Sequence, residues 1–156
     1  MNATQNEIKT VDQLVIYRAR MLLFGAISIV VWQMGTIVKD VIAVPEELSF
    51  QIAGWTSVVG AVCWAVTSVF FFKFNHQMKR ANACSALHDE LTIKNRNLAV
   101  FKSYIVLFGL VWLLIPLYDF WAYDAKFALR IVATIGIAMP FILFALSELK
   151  NDEGAE

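Results

Sequence analysis

Cutting the chain at its charged residues leaves four long uncharged runs, Met21–Val38, Leu48–Phe72, Ser103–Tyr118 and Ile131–Ser147, of 18, 25, 16 and 17 residues. A bilayer core needs about 20 apolar residues at roughly 1.5 Å rise each and tolerates about 17 to 25. Three runs meet that length directly. The third is slightly short, but Lys102 can lay its stem along the apolar zone and place its ammonium at the interface. The run MLLFGAISIVVWQMGTIV has no continuous polar stripe at helical spacing, which a helix of a soluble bundle would show. The pattern predicts an all-α polytopic membrane protein, a single membrane domain over 1–156. Its four transmembrane helices, at about 15–38, 50–74, 100–118 and 128–148, form two hairpins.

Composition strengthens this reading. Hydrophobic residues make up 59% and charged residues 17%, against about 45–50% and about 25% in soluble domains. With a mean hydropathy of +0.62, so small a chain cannot hide its apolar surplus inside a water-soluble core. Zero formal net charge removes the concentrated positive field that a nucleic-acid partner requires. Cys63 and Cys84, the two cysteines, fall in an apolar run and a polar stretch, so no disulfide framework is implied. The first run exceeds the 7–15 residues or so of a signal-peptide core, and Glu7 and Asp12 precede it, so it reads as a mature helix.

The distribution of cations sets the expected orientation. With four spans, the N-terminus, the central connection and the C-terminus share one side. That side carries ten of the 13 Lys and Arg residues; Lys39, Lys126 and Arg130 fall on the other. The positive-inside rule places both termini in the cytoplasm, here of a bacterial inner membrane. Phe50, Trp55, Tyr118, Trp121 and Tyr123 flank the opposite side as interfacial aromatics.

The segment VIYRARMLLFG (15–25) aligns without gaps on AVFKSYIVLFG (99–109), with Leu23, Phe24 and Gly25 recurring as Leu107, Phe108 and Gly109. A looser echo follows outside that register, with Gly60 of the second span opposite Gly136 of the fourth. The pattern is a candidate tandem duplication, competing with chance matches in a small apolar alphabet. A true repeat predicts pseudo-twofold packing of the hairpins, with a seam between the first and third helices.

Residues 75–98 read as a cytoplasmic helical extension between the second and third spans, jointed near Asn82 to Ser85. Ser85 is the expected cap of its second part, Asp89 and Glu90 lie near the positive end, and Glu90 precedes Lys94 by four residues. Leu87, Leu91 and Leu98 form one side, suited to packing on the first part or on a partner. The acidic pair Asp89 and Glu90, followed by Arg96 and then a span, resembles small uncharacterised bacterial inner-membrane proteins of four helices. It covers about a tenth of the chain and implies no function.

Candidate chemistry is sparse. His76, Cys84, His88 and Asp89 form the one cluster of metal-ligand side chains along the sequence, and Cys84 and His88 would share a helical face; no further motif completes a tetrahedral set, so solvated interface residues are expected. Asp119, Asp124, Lys126 and Arg130 cluster between the third and fourth spans, where Arg130 should pair with Asp119 or Asp124 as an interfacial ion pair or as a gate. Gln33, Gly60, Thr67 and Pro140 lie within the runs, as helix-packing or pathway positions. No phosphate loop, nucleophile elbow or zinc-protease motif occurs. The expected protein is therefore non-enzymatic and without cofactor, its partners being membrane lipids and further copies or other membrane subunits. It acts through helix packing; the alternative is a small dimeric transporter or channel with its pathway along the seam of helices 1 and 3.

Overall fold

A computed structural model describes the backbone of residues 2–42, 47–80 and 90–153, and the side chains of 13–42, 47–76 and 90–150. It contains four helices: α1 (Asn2–Val41), α2 (Leu48–Arg80), α3 (Glu90–Phe120) and α4 (Ala125–Glu153). Each includes a stretch long and apolar enough to cross a membrane, at Gln13–Val41, Leu48–His76, Glu90–Phe120 and Ala125–Lys150. Helix continues past the apolar segments to Arg80 in α2, and α3 is already helical at Glu90. Ser85, Leu87 and Asp89 lie outside the described residues.

Burial is inverted relative to a soluble bundle. Among the described residues no large side chain is fully buried, and Phe72, Trp55, Trp112 and Phe120 stand exposed. Most of the buried residues are small, Ala19, Ala26, Ala53, Ala99, Ala138 and Ala145, with Ser28, Ser103, Thr67 and Thr134; the larger ones are Met21, Ile29, Ile37, Phe74, Leu114 and Glu148. Lipid tails are as apolar as leucine, so no hydrophobic force drives such helices together. They associate where small residues let backbones approach, and the large side chains are left for lipid.

The helices pack in a row, α2 on α1, α1 on α4 and α4 on α3. Among the described residues α1 makes no contact with α3, and α2 makes none with α3 or α4. The expected seam between the first and third helices is thus absent, and α1 meets α4 instead. A pseudo-twofold axis would require a matching contact between α2 and α3, which is missing. The aligned glycines are also unlike one another. A Cβ on Gly60 would lie 2.5 Å from the Trp32 backbone nitrogen, whereas on Gly136 it would meet only the Leu107 side chain at 3.7 Å. Gly25 abuts Thr67, while Gly109 faces open space. Leu91 and Leu98 are exposed and do not pack on α2.

The α1–α2 contact is the closest. Gly35 lies against the backbone of Ala53 and Ser57, and Gly60 against that of Trp32, with the Trp32 and Trp64 rings 5.8 Å apart beside them. Thr36 Oγ1 donates its hydrogen to the Trp32 carbonyl, so the 2.9 Å contact between Thr36 and Ser57 hydroxyls has Ser57 as donor.

Candidate functional site at the α1–α4 seam

Every helix in the row runs antiparallel to its neighbour, so the start of α1 and the end of α4 lie together, with Arg18 on Glu148, and so do the end of α1 and the start of α4, with Asp40 on Arg130. We call these the termini end and the loop end. The two pairs close the α1–α4 seam with opposite polarity. Arg18 and Asp40 are 22 positions apart on α1, and Arg130 and Glu148 are 18 apart on α4, about 33 Å and about 27 Å of helix. A hydrocarbon core is about 30 Å thick. The charges therefore bracket the apolar zone, at the depths where long side chains reach interfacial water.

The termini-end pair is the more enclosed. Arg18 Nη2 donates to Glu148 Oε2 at 2.6 Å, with side-chain exposures of 13% and 3%. Asn95 of α3 donates to the other carboxylate oxygen at 3.4 Å, so one acid on α4 holds side chains from both α1 and α3. The Arg18 guanidinium also sits over the Phe144 ring, 5.4 Å from its centre. Its Nε is buried without a hydrogen-bond partner. Sequence reasoning missed this centre. Glu148 directly follows the last apolar run and lies four positions after Phe144, so an acid at helical spacing from an apolar face was the available signal.

At the loop end, Arg130 pairs with Asp40 of α1 and not with Asp119 or Asp124. Its Nη1 lies 2.6 Å from Asp40 Oδ2, close enough for an ion pair but out of line for a hydrogen bond. Lys126 reaches the other oxygen at 3.5 Å. Asp124 is engaged elsewhere: its carbonyl accepts the amides of Phe127 and Ala128, and its carboxylate accepts the Lys126 amide at 3.4 Å, opening α4. Asp119 is exposed on the last turn of α3. Tyr123 donates its hydroxyl to the Leu114 carbonyl and meets the Tyr118 ring edge-on, holding the chain between α3 and α4 against α3.

Between the clamps, α2 and α4 flank α1 without meeting, and grooves open over one face of α1. Toward the loop end is a groove of about 600 Å³ lined by Gln33, Thr36, Lys126, Arg130, Thr134 and Ile137. Toward the termini end is a smaller, apolar one of about 150 Å³ that includes Gly25, Thr67 and Phe141. Ile29 borders both and is buried. The buried hydroxyls are turned back on their own helices: Ser28, Thr67, Ser103 and Thr134 each donate to the carbonyl four residues earlier. Pro140 lies inside α4, where it cannot donate to the Gly136 carbonyl, yet the helix continues through it.

The other expected positions remain apart from this seam. His76 is exposed on α2, and Cys84 and His88 lie outside the described residues. Among the described residues no three His, Cys, Asp or Glu side chains come close enough to hold a metal ion. No protein-family model matches this chain, and neither a curated protein nor a solved structure resembles it significantly.

Proposed function

We propose that this chain is a non-enzymatic integral membrane protein that works through helix packing, as a homo-oligomer or as an accessory subunit of a larger membrane complex. In this reading it resides in a bacterial inner membrane with both termini cytoplasmic, as the excess of Lys and Arg at the termini end favours. The observation that carries it is the closure of polar groups on themselves. Buried hydroxyls bond within their own helices, Thr36 and Ser57 satisfy each other, and the deepest polar lining of the loop-end groove stops at Ile29 and Ile137. Proton and ion pathways use intramembrane ionisable residues, and neither residues 21–38 of α1 nor residues 131–147 of α4 contain one. Placement of α3 supports assembly: among the described residues it packs on α4 alone and turns a ladder of Tyr104, Phe108 and Trp112 outward, with ring centres 6.3 and 6.1 Å apart.

A transporter or channel is the second reading, favoured by the groove that brings Gln33 near two cations. Its pathway would follow α1 and α4. Single cysteines at Gln33, Ile29 and Thr67, in a background lacking Cys63 and Cys84, separate the two. A packing protein leaves Ile29→Cys and Thr67→Cys unreactive to charged thiol reagents from both sides and shows more than one copy, or co-purifying subunits, in native mass spectrometry. Reaction at all three positions in a chain that flies as a lone monomer would overturn the assembly reading.

A further inference from the structure

We propose that the loop-end groove between α1 and α4 is a binding site for one anionic phospholipid. Its phosphate would lie at Lys126 and Arg130 and one acyl chain would descend to Ile29 and Ile137. Charge supplies the first support: among the described residues the groove is lined by two cations, Lys126 and Arg130, and by no acid, and the two share the single carboxylate of Asp40. Both are reachable, with side-chain exposures of 58% and 26%. Asp124 caps the start of α4 and lines a separate pocket with Asp40 and Trp121, and Lys39 lies over the Phe50 ring at 4.9 Å. Arg130 uses one nitrogen on Asp40, and a guanidinium offers five N–H donors in a fork that suits phosphate.

Dimensions supply the second support. From Lys126 to Ile137 the groove follows α4 for 11 positions, about 16 Å, which is one leaflet of a core about 30 Å thick. Its polar lining runs from Lys126 and Arg130 past Thr36 and Gln33 to Thr134, whose hydroxyl is spent on the Arg130 carbonyl, and the groove ends on Ile29 and Ile137. A cationic mouth above a groove one leaflet deep that ends on isoleucines matches a lipid, with its charge at the interface and its chain in hydrocarbon. A small hydrophilic anion at the mouth would leave the isoleucine end uncovered.

Trp32 lines the groove and reports on it. The full chain, with Trp55, Trp64, Trp112 and Trp121 replaced by Phe, is reconstituted in bilayers of phosphatidylcholine containing phosphatidylglycerol brominated on its acyl chains. Quenching of Trp32 is compared with that by brominated phosphatidylcholine at the same fraction. A preference of about fivefold for the anionic lipid is expected, the effect of roughly one net interfacial cation. It should fall close to unity in Lys126→Gln/Arg130→Gln and persist in Arg130→Lys. Should the four-Phe variant fail to fold, native mass spectrometry of the wild-type chain replaces it: retained phosphatidylglycerol is expected, and its loss in Lys126→Gln, a change at an exposed side chain. Equal quenching by both lipids, or a preference that survives the double substitution, would overturn the proposal. Displacement of the lipid by excess inorganic phosphate would overturn it too, by marking a free-anion site.

Discussion

Replacing Glu148 by Gln removes one charge from the most enclosed polar centre of the fold while keeping the shape of the side chain. Arg18 then keeps its position against Phe144 without a counter-ion, and Asn95 keeps an oxygen acceptor. Breaking a buried ion pair costs about 3–5 kcal/mol, because the remaining charge stays desolvated. Two features lower that figure here. Arg18 is 13% exposed near the termini end and can extend its head toward water, and the Phe144 ring supplies a partial substitute. We expect about 2–4 kcal/mol, a large share of a typical total stability of about 5–15 kcal/mol. Reversible unfolding in mixed mild-detergent and dodecyl sulfate micelles, followed by helical circular dichroism, measures it. Replacing both partners by leucine should restore much of the loss, since an apolar pair leaves no stranded charge. A Glu148→Gln variant within about 0.5 kcal/mol of wild type, or additive effects of Arg18→Leu and Glu148→Leu, would show that the pair is solvated and that the seam is held by packing alone.

The other predictions concern the remaining contacts. Gly60→Ala places a methyl 2.5 Å from the Trp32 backbone nitrogen and should destabilise by about 1–3 kcal/mol in the same assay, whereas Gly109→Ala, facing open space, should be neutral or slightly stabilising. Equal effects would remove the close α1–α2 approach. Ser57→Ala leaves Thr36 bonded to its own helix, so unfolding should show a loss of only about 0.6 kcal/mol. Asp40→Asn loosens Arg130 and Lys126 together and should cost about 1 kcal/mol at low salt, shrinking as salt screens this half-exposed cluster; a salt-independent loss would contradict an interfacial location.

Four apolar runs of nearly hydrocarbon length were legible without coordinates, because the backbone of such a segment must satisfy its hydrogen bonds within itself and a helix is the one open-chain solution in lipid. The need of Arg130 for an acid was equally legible, since a cation at that depth is costly alone. Which acid it would take was not. Asp119 and Asp124 are near in sequence, but one lies on the exposed last turn of α3 and the other starts α4, and Asp40 arrives from a helix 90 positions away. The same holds for neighbours in the row. The local match between 15–25 and 99–109 suggested that α1 would meet α3, yet helix partners in lipid are chosen by which small faces and which charges coincide over a full span. Arg18 with Glu148 and Asp40 with Arg130 coincide only when α1 and α4 lie antiparallel at the right height. That is a relation between distant segments, and tertiary structure alone decided it, whereas the hydropathy of each segment settled its helical state by itself.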